Sequence, residues 1–66
     1  MVVTLNGERR ELAGATTVGA LLAELGYESD FVAVAVNETI VRRSNWPSSA
    51  VADGDRIEIV TPRQGG

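Results

Sequence analysis

Asp53-Gly54-Asp55 is the closest approach this chain makes to a pair of acidic groups that could divide acid and base work between them. Such pairs operate when burial or mutual repulsion drives their pKa values apart, which takes a cleft that a very small domain rarely has. Gly between two acids is also the composition of a tight turn, in which Asp side chains bond back to nearby backbone. That is the reading adopted. A calcium loop of the EF-hand type would need more oxygen ligands and a later Glu; Glu58 comes too soon. The chain contains no Cys, no His and no Lys. Thiol nucleophiles, disulfides, imidazole or thiolate metal sites, Schiff bases and a side chain that titrates near neutrality are thereby excluded. Carboxylates, hydroxyls, Arg and the single Tyr27 remain, and neither a catalytic side chain nor a metal site is expected among them.

A different reactive group closes the sequence. The chain reads Thr61-Pro62-Arg63-Gln64-Gly65-Gly66 at its end, with nothing after Gly66. From Pro62 on there is no pattern of burial, so the expected organisation is a folded domain over 1–61 and a flexible tail over 62–66. Extended, that tail would reach about 16 Å, far enough to enter another protein's active site. A Gly pair has the smallest cross-section a peptide can have and tolerates almost any φ and ψ, so it can thread a channel that a Cβ would block. What it presents is the α-carboxylate of Gly66, ionised at neutral pH because such groups have a pKa of about 3.5. A carboxylate is a poor electrophile until it is activated, most simply as an acyl adenylate, and that takes ATP and magnesium held by a partner. The chain has no GxxxxGK[ST] phosphate loop of its own. A frayed chain end would have a similar composition.

The elements that must position such a tail are legible in the pattern. The 66 residues allow one domain, and 44% hydrophobic with 23% charged residues is a globular balance and not a disordered one. The net charge is −3 and the six arginines are scattered, which argues against nucleic acid as a partner. No apolar run approaches the ~20 residues needed to span a bilayer, and no basic region leads into a long apolar one. Cytoplasmic residence is the expectation. Val2–Leu5, then Asn6-Gly7, then Glu8–Leu12 predicts a hairpin with Val3 and Leu5 on one face and Leu12 opposite them. Thr17 can cap a helix whose Val18, Leu21, Leu22 and Leu25 fall at i, i+3, i+4 and i+7 before Gly26 ends it. Val32, Val34 and Val36 alternate with Ala33 and Ala35, a strand whose Val face meets the helix. "NET" turns into a short strand Ile40–Arg43, Ser44 can cap a helical turn through Trp46 and Pro47, and Trp46 plugs the core edge. In the last strand, "RIEIVT", Ile57 and Ile59 point inward while Arg56, Glu58 and Val60 point out.

The fold class that follows is α+β: a mixed sheet of four to five strands with one main helix packed on one face and the other face open. A right-handed crossover sets the first and last strands side by side and parallel, so the tail leaves from a central strand. Val60, Ala33 and Ala35 lie on the open face and form the candidate docking surface, since apolar residues gathered on an uncovered sheet mark interfaces. Scattered surface apolar residues are also ordinary.

The order of elements, with "VNETIV", "RSNW", "ADGDRIEIV" and the final "GG", resembles the ThiS family, the sulfur carriers of thiamine biosynthesis. These are ubiquitin-like β-grasp domains related to the small subunit of molybdopterin synthase. The similarity covers essentially the whole chain and is most specific at Asn37, Arg43, Trp46, Asp53, Gly54, Asp55, Gly65 and Gly66. The resemblance implies that Gly66 is adenylated by an E1-like adenylyltransferase of the ThiF type. It then becomes a thiocarboxylate with sulfur from a donor enzyme, and a thiazole synthase of the ThiG type takes the sulfur. Pro62, Arg63, Gln64 and Gly65 would occupy the partner's channel. The chain itself would be a protein co-substrate with no cofactor of its own, ATP and magnesium belonging to the activating partner, and a monomer when free. Three other readings stand beside this one: a carrier for molybdopterin synthesis, a ubiquitin-like protein modifier, and a plain interaction module.

Overall fold

The computed structural model describes residues 1–14, 16–27 and 32–61. β1 (Val2–Leu5) and β2 (Glu8–Glu11) form an antiparallel hairpin, followed by a two-residue strand β3 (Thr16–Thr17) that runs into α1 (Val18–Leu25). β4 (Ala33–Val36) and β5 (Thr39–Val41) form a second hairpin, a 3₁₀ helix spans Arg43–Ser48, and β6 (Ala50–Val51) and β7 (Arg56–Val60) complete the chain. The five longer strands make one mixed sheet in the order β2-β1-β7-β4-β5, while β3 and β6 pair as a separate ribbon. The architecture is the ubiquitin-like β-grasp arrangement of an α+β domain.

Both hairpins turn on Asn. Asn6 and Gly7 have φ of 50° and 84°, and Asn37 and Glu38 have φ of 52° and 72°. Positive φ at both central residues is the two-residue turn whose twist matches that of paired strands. α1 begins where expected: Thr17 is extended, and its hydroxyl accepts from the Ala20 amide at 3.2 Å. Gly26 closes it at φ 84°, its N–H returning to Ala23. The eight-residue helix is too short to persist alone and depends on its buried stripe of Val18, Leu21 and Leu22. That stripe packs with Val3, Leu5, Val34, Ile57 and Ile59 from the sheet, and with Val51. Trp46 seals the edge, 5% exposed, with its indole N–H donated to the Val41 carbonyl at 2.9 Å. Removing such a side chain from a core costs about 3–5 kcal/mol, a large share of what so small a domain has.

Four expectations need correction. β5 begins at Thr39 and stops at Val41, so Arg42 and Arg43 lie outside it. The residue before the 3₁₀ helix is Arg42, with no side-chain cap, so Ser44 does not cap it. The strand thus ends two residues early, at Val41, whose carbonyl accepts the Trp46 indole N–H. Leu12 lies beyond β2 and exchanges backbone bonds with Met1, not with Val3 or Leu5, because the two-residue turn sets Val3 opposite Arg10 and Leu5 opposite Glu8. β2 is exposed throughout and charged at every position; an edge strand of charged residues resists pairing with other chains. The ribbon β3–β6 has no counterpart in the sequence reading, and Thr61 follows the last strand without belonging to it.

Candidate functional site

The site is built around β7, the middle strand of the sheet, from whose end the chain proceeds through Thr61 to residues 62–66. On one flank β7 runs parallel to β1, with Thr4 opposite Arg56 and Leu5 opposite Ile57. On the other it runs antiparallel to β4, from Ala33 opposite Val60 to Val36 opposite Ile57.

Side chains extend this ladder where the backbone cannot. The Thr4 amide donates to Asp55 O and the Asn6 amide to Ile57 O, each at 2.9 Å. Two residues earlier, the Val2 amide finds the Asp53 carboxylate at 2.6 Å instead of a carbonyl. Two residues later, Ile59 is held by the Asn6 carboxamide: Ile59 N–H donates to Oδ1 at 2.7 Å, and Nδ2 donates to the Ile59 carbonyl at 3.2 Å. At the opposite corner Arg56 N–H donates to Asn37 Oδ1 at 2.9 Å, while the Asn37 amide donates to Arg56 O at 2.7 Å. Asp55 accepts from the Ala52 amide at 2.8 Å and from Asn37 Nδ2 at 3.0 Å. The two carboxylates of Asp53-Gly54-Asp55 are thus engaged by backbone and amide donors. They form a turn, with Gly54 at φ 88°, as the sequence reading holds.

The face of β7 away from α1 is uncovered, and it brings the three docking candidates together. Ala33 sits directly across from Val60, and Ala35 across from Glu58 on the same face. A shallow depression of about 140 Å³ is lined by Ala33, Val34, Ala35, Ile40, Glu58 and Val60. Val60 is 58% exposed and Ile40 72%, the large apolar side chains most open to solvent among the described residues. Sequence reasoning missed Ile40. The signal was present: a two-residue turn at Asn37-Glu38 sets Ile40 opposite Ala35, hence on the same face. Glu58 lies within the patch, and Glu38 bridges Arg56 at 2.8 Å along its border. The tail candidates Pro62, Arg63, Gln64, Gly65 and Gly66 lie outside the described residues.

A second depression, of about 370 Å³, opens between α1 and the 3₁₀ helix beside Leu22, Ala23, Tyr27, Trp46 and Pro47. Among the described residues no three acidic side chains gather where they could hold a metal ion. No helix among them is long and apolar enough to cross a membrane.

The described residues thus combine a central last strand with an open apolar face, and comparison with known proteins bears on what such a domain does. The family described as the ThiS family matches residues 3–66. The chain belongs to the ThiS family. Sulfur carrier protein ThiS of Thermus thermophilus is 42% identical over 65 residues, covering 98% of this chain and all of that one. The crystal structure of the thiamine biosynthesis protein ThiS from Geobacter metallireducens superposes with a TM-score of 0.87 at 29% identity, each chain covered in full. A thiazole synthase of Paramagnetospirillum magneticum is 47% identical over 66 residues; the match takes in all of this ThiS-family chain but only 20% of that longer protein.

Proposed function

We propose that this chain is the sulfur carrier of thiazole formation in thiamine biosynthesis, and that the sulfur travels on the C-terminal carboxyl of Gly66. The observation that carries the reading is the family match along residues 3–66, the Gly65-Gly66 pair included. Family membership gives the sulfur-carrier role; the route through Gly66 rests on the chemistry left to the chain. With no Cys in the sequence, no side chain of these 66 residues can hold a persulfide, which supports the terminal carboxyl as the proposed carrier group.

In the proposed cycle an E1-like adenylyltransferase of the ThiF type binds ATP and magnesium. A Gly66 carboxylate oxygen attacks the α-phosphorus and pyrophosphate leaves. Sulfide, released by a donor enzyme, then attacks the acyl carbon and AMP leaves, exchanging one oxygen for sulfur. A thiazole synthase of the ThiG type takes that sulfur. The same carrier-like sequence inside a much longer thiazole synthase supports this partner, because linking a carrier to the enzyme it feeds raises the effective concentration of one at the other. The patch of Ala33, Ala35, Ile40 and Val60 is the proposed docking face, at the end of β7 that leads on to Thr61. The chain is a co-substrate and not a catalyst, a monomer when free, with modest interfaces that let each partner release it.

The test is the intact mass of the chain after incubation with a ThiF-type adenylyltransferase, ATP, magnesium and sulfide, and of the chain purified from its native cells under conditions that preserve thioacids. The expected result is a species heavier by one sulfur minus one oxygen, the change mapping to Gly66. Only the unmodified mass in both preparations would refute the reading, and covalent adducts to other proteins in the lysate would favour a modifier instead.

A further inference from the structure

We infer that Asn6 is a positioning residue for sulfur transfer, holding β7 at Ile59, near the end of the strand that precedes the Gly65-Gly66 pair in sequence. The inference rests on the carrier reading above and concerns a residue 53 positions away from its partner in sequence.

The spacing of the parallel ladder creates the need. Bonds from the β1 side reach β7 at Asp55 through the Thr4 amide and at Ile57 through the Asn6 amide. The next acceptor in that series is the Ile59 carbonyl, and the donor due to reach it is the amide of residue 8. Glu8 has already turned into β2 and pairs back with Leu5. Ile59 would therefore present an unpaired N–H and an unpaired C=O on this flank, at a residue only 5% exposed. The Asn6 carboxamide supplies both partners, an acceptor at 2.7 Å and a donor at 3.2 Å. Two-sided support of β7 thus runs to Ile59, next to the last strand residue, Val60.

Turn geometry alone does not explain Asn here. At φ 50° the first position of this turn accepts Asn, Asp or Gly. Only Asn carries a donor and an acceptor on one rigid group. Asp would offer Ile59 N–H an acceptor but set its second oxygen against the Ile59 carbonyl. Gly would offer neither. The residue choice therefore answers to β7, and β7 is the strand that leads to Gly66. The docking patch lies on β4, β5 and the outward side of β7, and Asn6 lines none of it. Loss of the clamp should thus spare encounter with a partner and impair placement of the tail once docked, because a looser approach geometry lowers turnover more than affinity.

The experiment compares the full chain with Asn6→Gly and Asn6→Asp, both compatible with the turn. Pyrophosphate release by a ThiF-type adenylyltransferase is followed with the carrier as varied substrate, and amide exchange is followed at Ile59. Exchange at Val18, whose amide bonds Ser49 O at 2.9 Å and takes no part in the clamp, reports that the fold is intact. The expected result is a fall in kcat of about fivefold in both variants with KM within about twofold, and faster exchange at Ile59 in Asn6→Gly with Val18 unchanged. Wild-type kcat and KM in both variants, or Ile59 exchange unaltered in Asn6→Gly, would overturn the assignment. A rise in KM alone would also overturn it, by placing Asn6 in the docking surface. If the wild-type chain itself releases no pyrophosphate, the carrier reading fails, and the Ile59 exchange rate still decides whether the clamp exists.

Discussion

Glu38 stands at φ 72° in the second position of a tight turn, where Asn6's hairpin has Gly7. A side chain with a Cβ is strained there, and Gly is the residue that relieves the strain. Its carboxylate meets Arg56 at 2.8 Å, but both partners are more than half exposed, and such bridges contribute little once solvent screening is counted. Strain should therefore outweigh the bridge. Glu38→Gly is expected to stabilise the chain by about 0.5–1 kcal/mol, a rise in Tm of roughly 3–6 °C for a domain of this size. Thermal unfolding followed by circular dichroism checks it; a fall in Tm would mean that the ion pair is the larger effect. Asp53 and Asp55 make the same point about reading residues one at a time. Their pairing on either side of Gly54 suggests acid chemistry, yet each is taken up by an amide of the fold: Val2 for Asp53, Ala52 and Asn37 for Asp55.

At the scale of the element, α1 shows how closely a short helix depends on its neighbour. Gly19 lies in its first turn, where Ala is the better helix former by up to ~1 kcal/mol. A Cβ placed on Gly19 would lie 3.5 Å from the Trp46 carbonyl carbon, an ordinary contact. Gly19→Ala is thus expected to stabilise by about 0.5 kcal/mol, read as a higher urea midpoint with an unchanged m-value. A lower midpoint would show that the 3₁₀ helix cannot accommodate even a methyl group. The helix was legible in sequence because its cap, apolar spacing and terminating Gly all lie within ten residues, from Thr17 to Gly26. The end of β5 was not legible, and the bond found at its last residue, Trp46 to Val41, depends on where the core places the indole.

Across the whole molecule the two sheet faces have separate tasks: α1 and Trp46 cover one, and the other keeps Ile40 and Val60 in solvent. Leaving such residues exposed gains the isolated domain nothing, which fits a surface that is covered intermittently. Ile40→Glu is expected to leave stability within about 0.5 kcal/mol, while weakening binding to the proposed adenylyltransferase partner at least about tenfold, as loss of an apolar anchor does. Ala20→Glu, at an exposed position on α1, is the control and should bind normally. Calorimetric titration of both variants decides it. Equal affinities would move the docking surface off this face. The candidate patch was only partly legible beforehand: Ala33, Ala35 and Val60 follow from alternation within their own strands, whereas Ile40 joins them through the register of the second hairpin.

What the sequence determined by itself was whatever is encoded locally: the Asn-led turns, the bounds of the helix, the inward and outward alternation of β4 and β7, the exclusion of side-chain sulfur chemistry by the absence of Cys, and the motifs that resemble the ThiS family. Local signals suffice for these because each depends on residues within one turn or one strand. Only the tertiary structure decided how β7 is held. Asp53 and Asn6 substitute for backbone at the two ends of the β1–β7 pair, 51 and 53 residues from their partners. No periodicity reports such bonds. Polar groups of the last strand must find partners wherever the finished sheet leaves them unpaired, and which groups those are is settled only when the first strand has turned away.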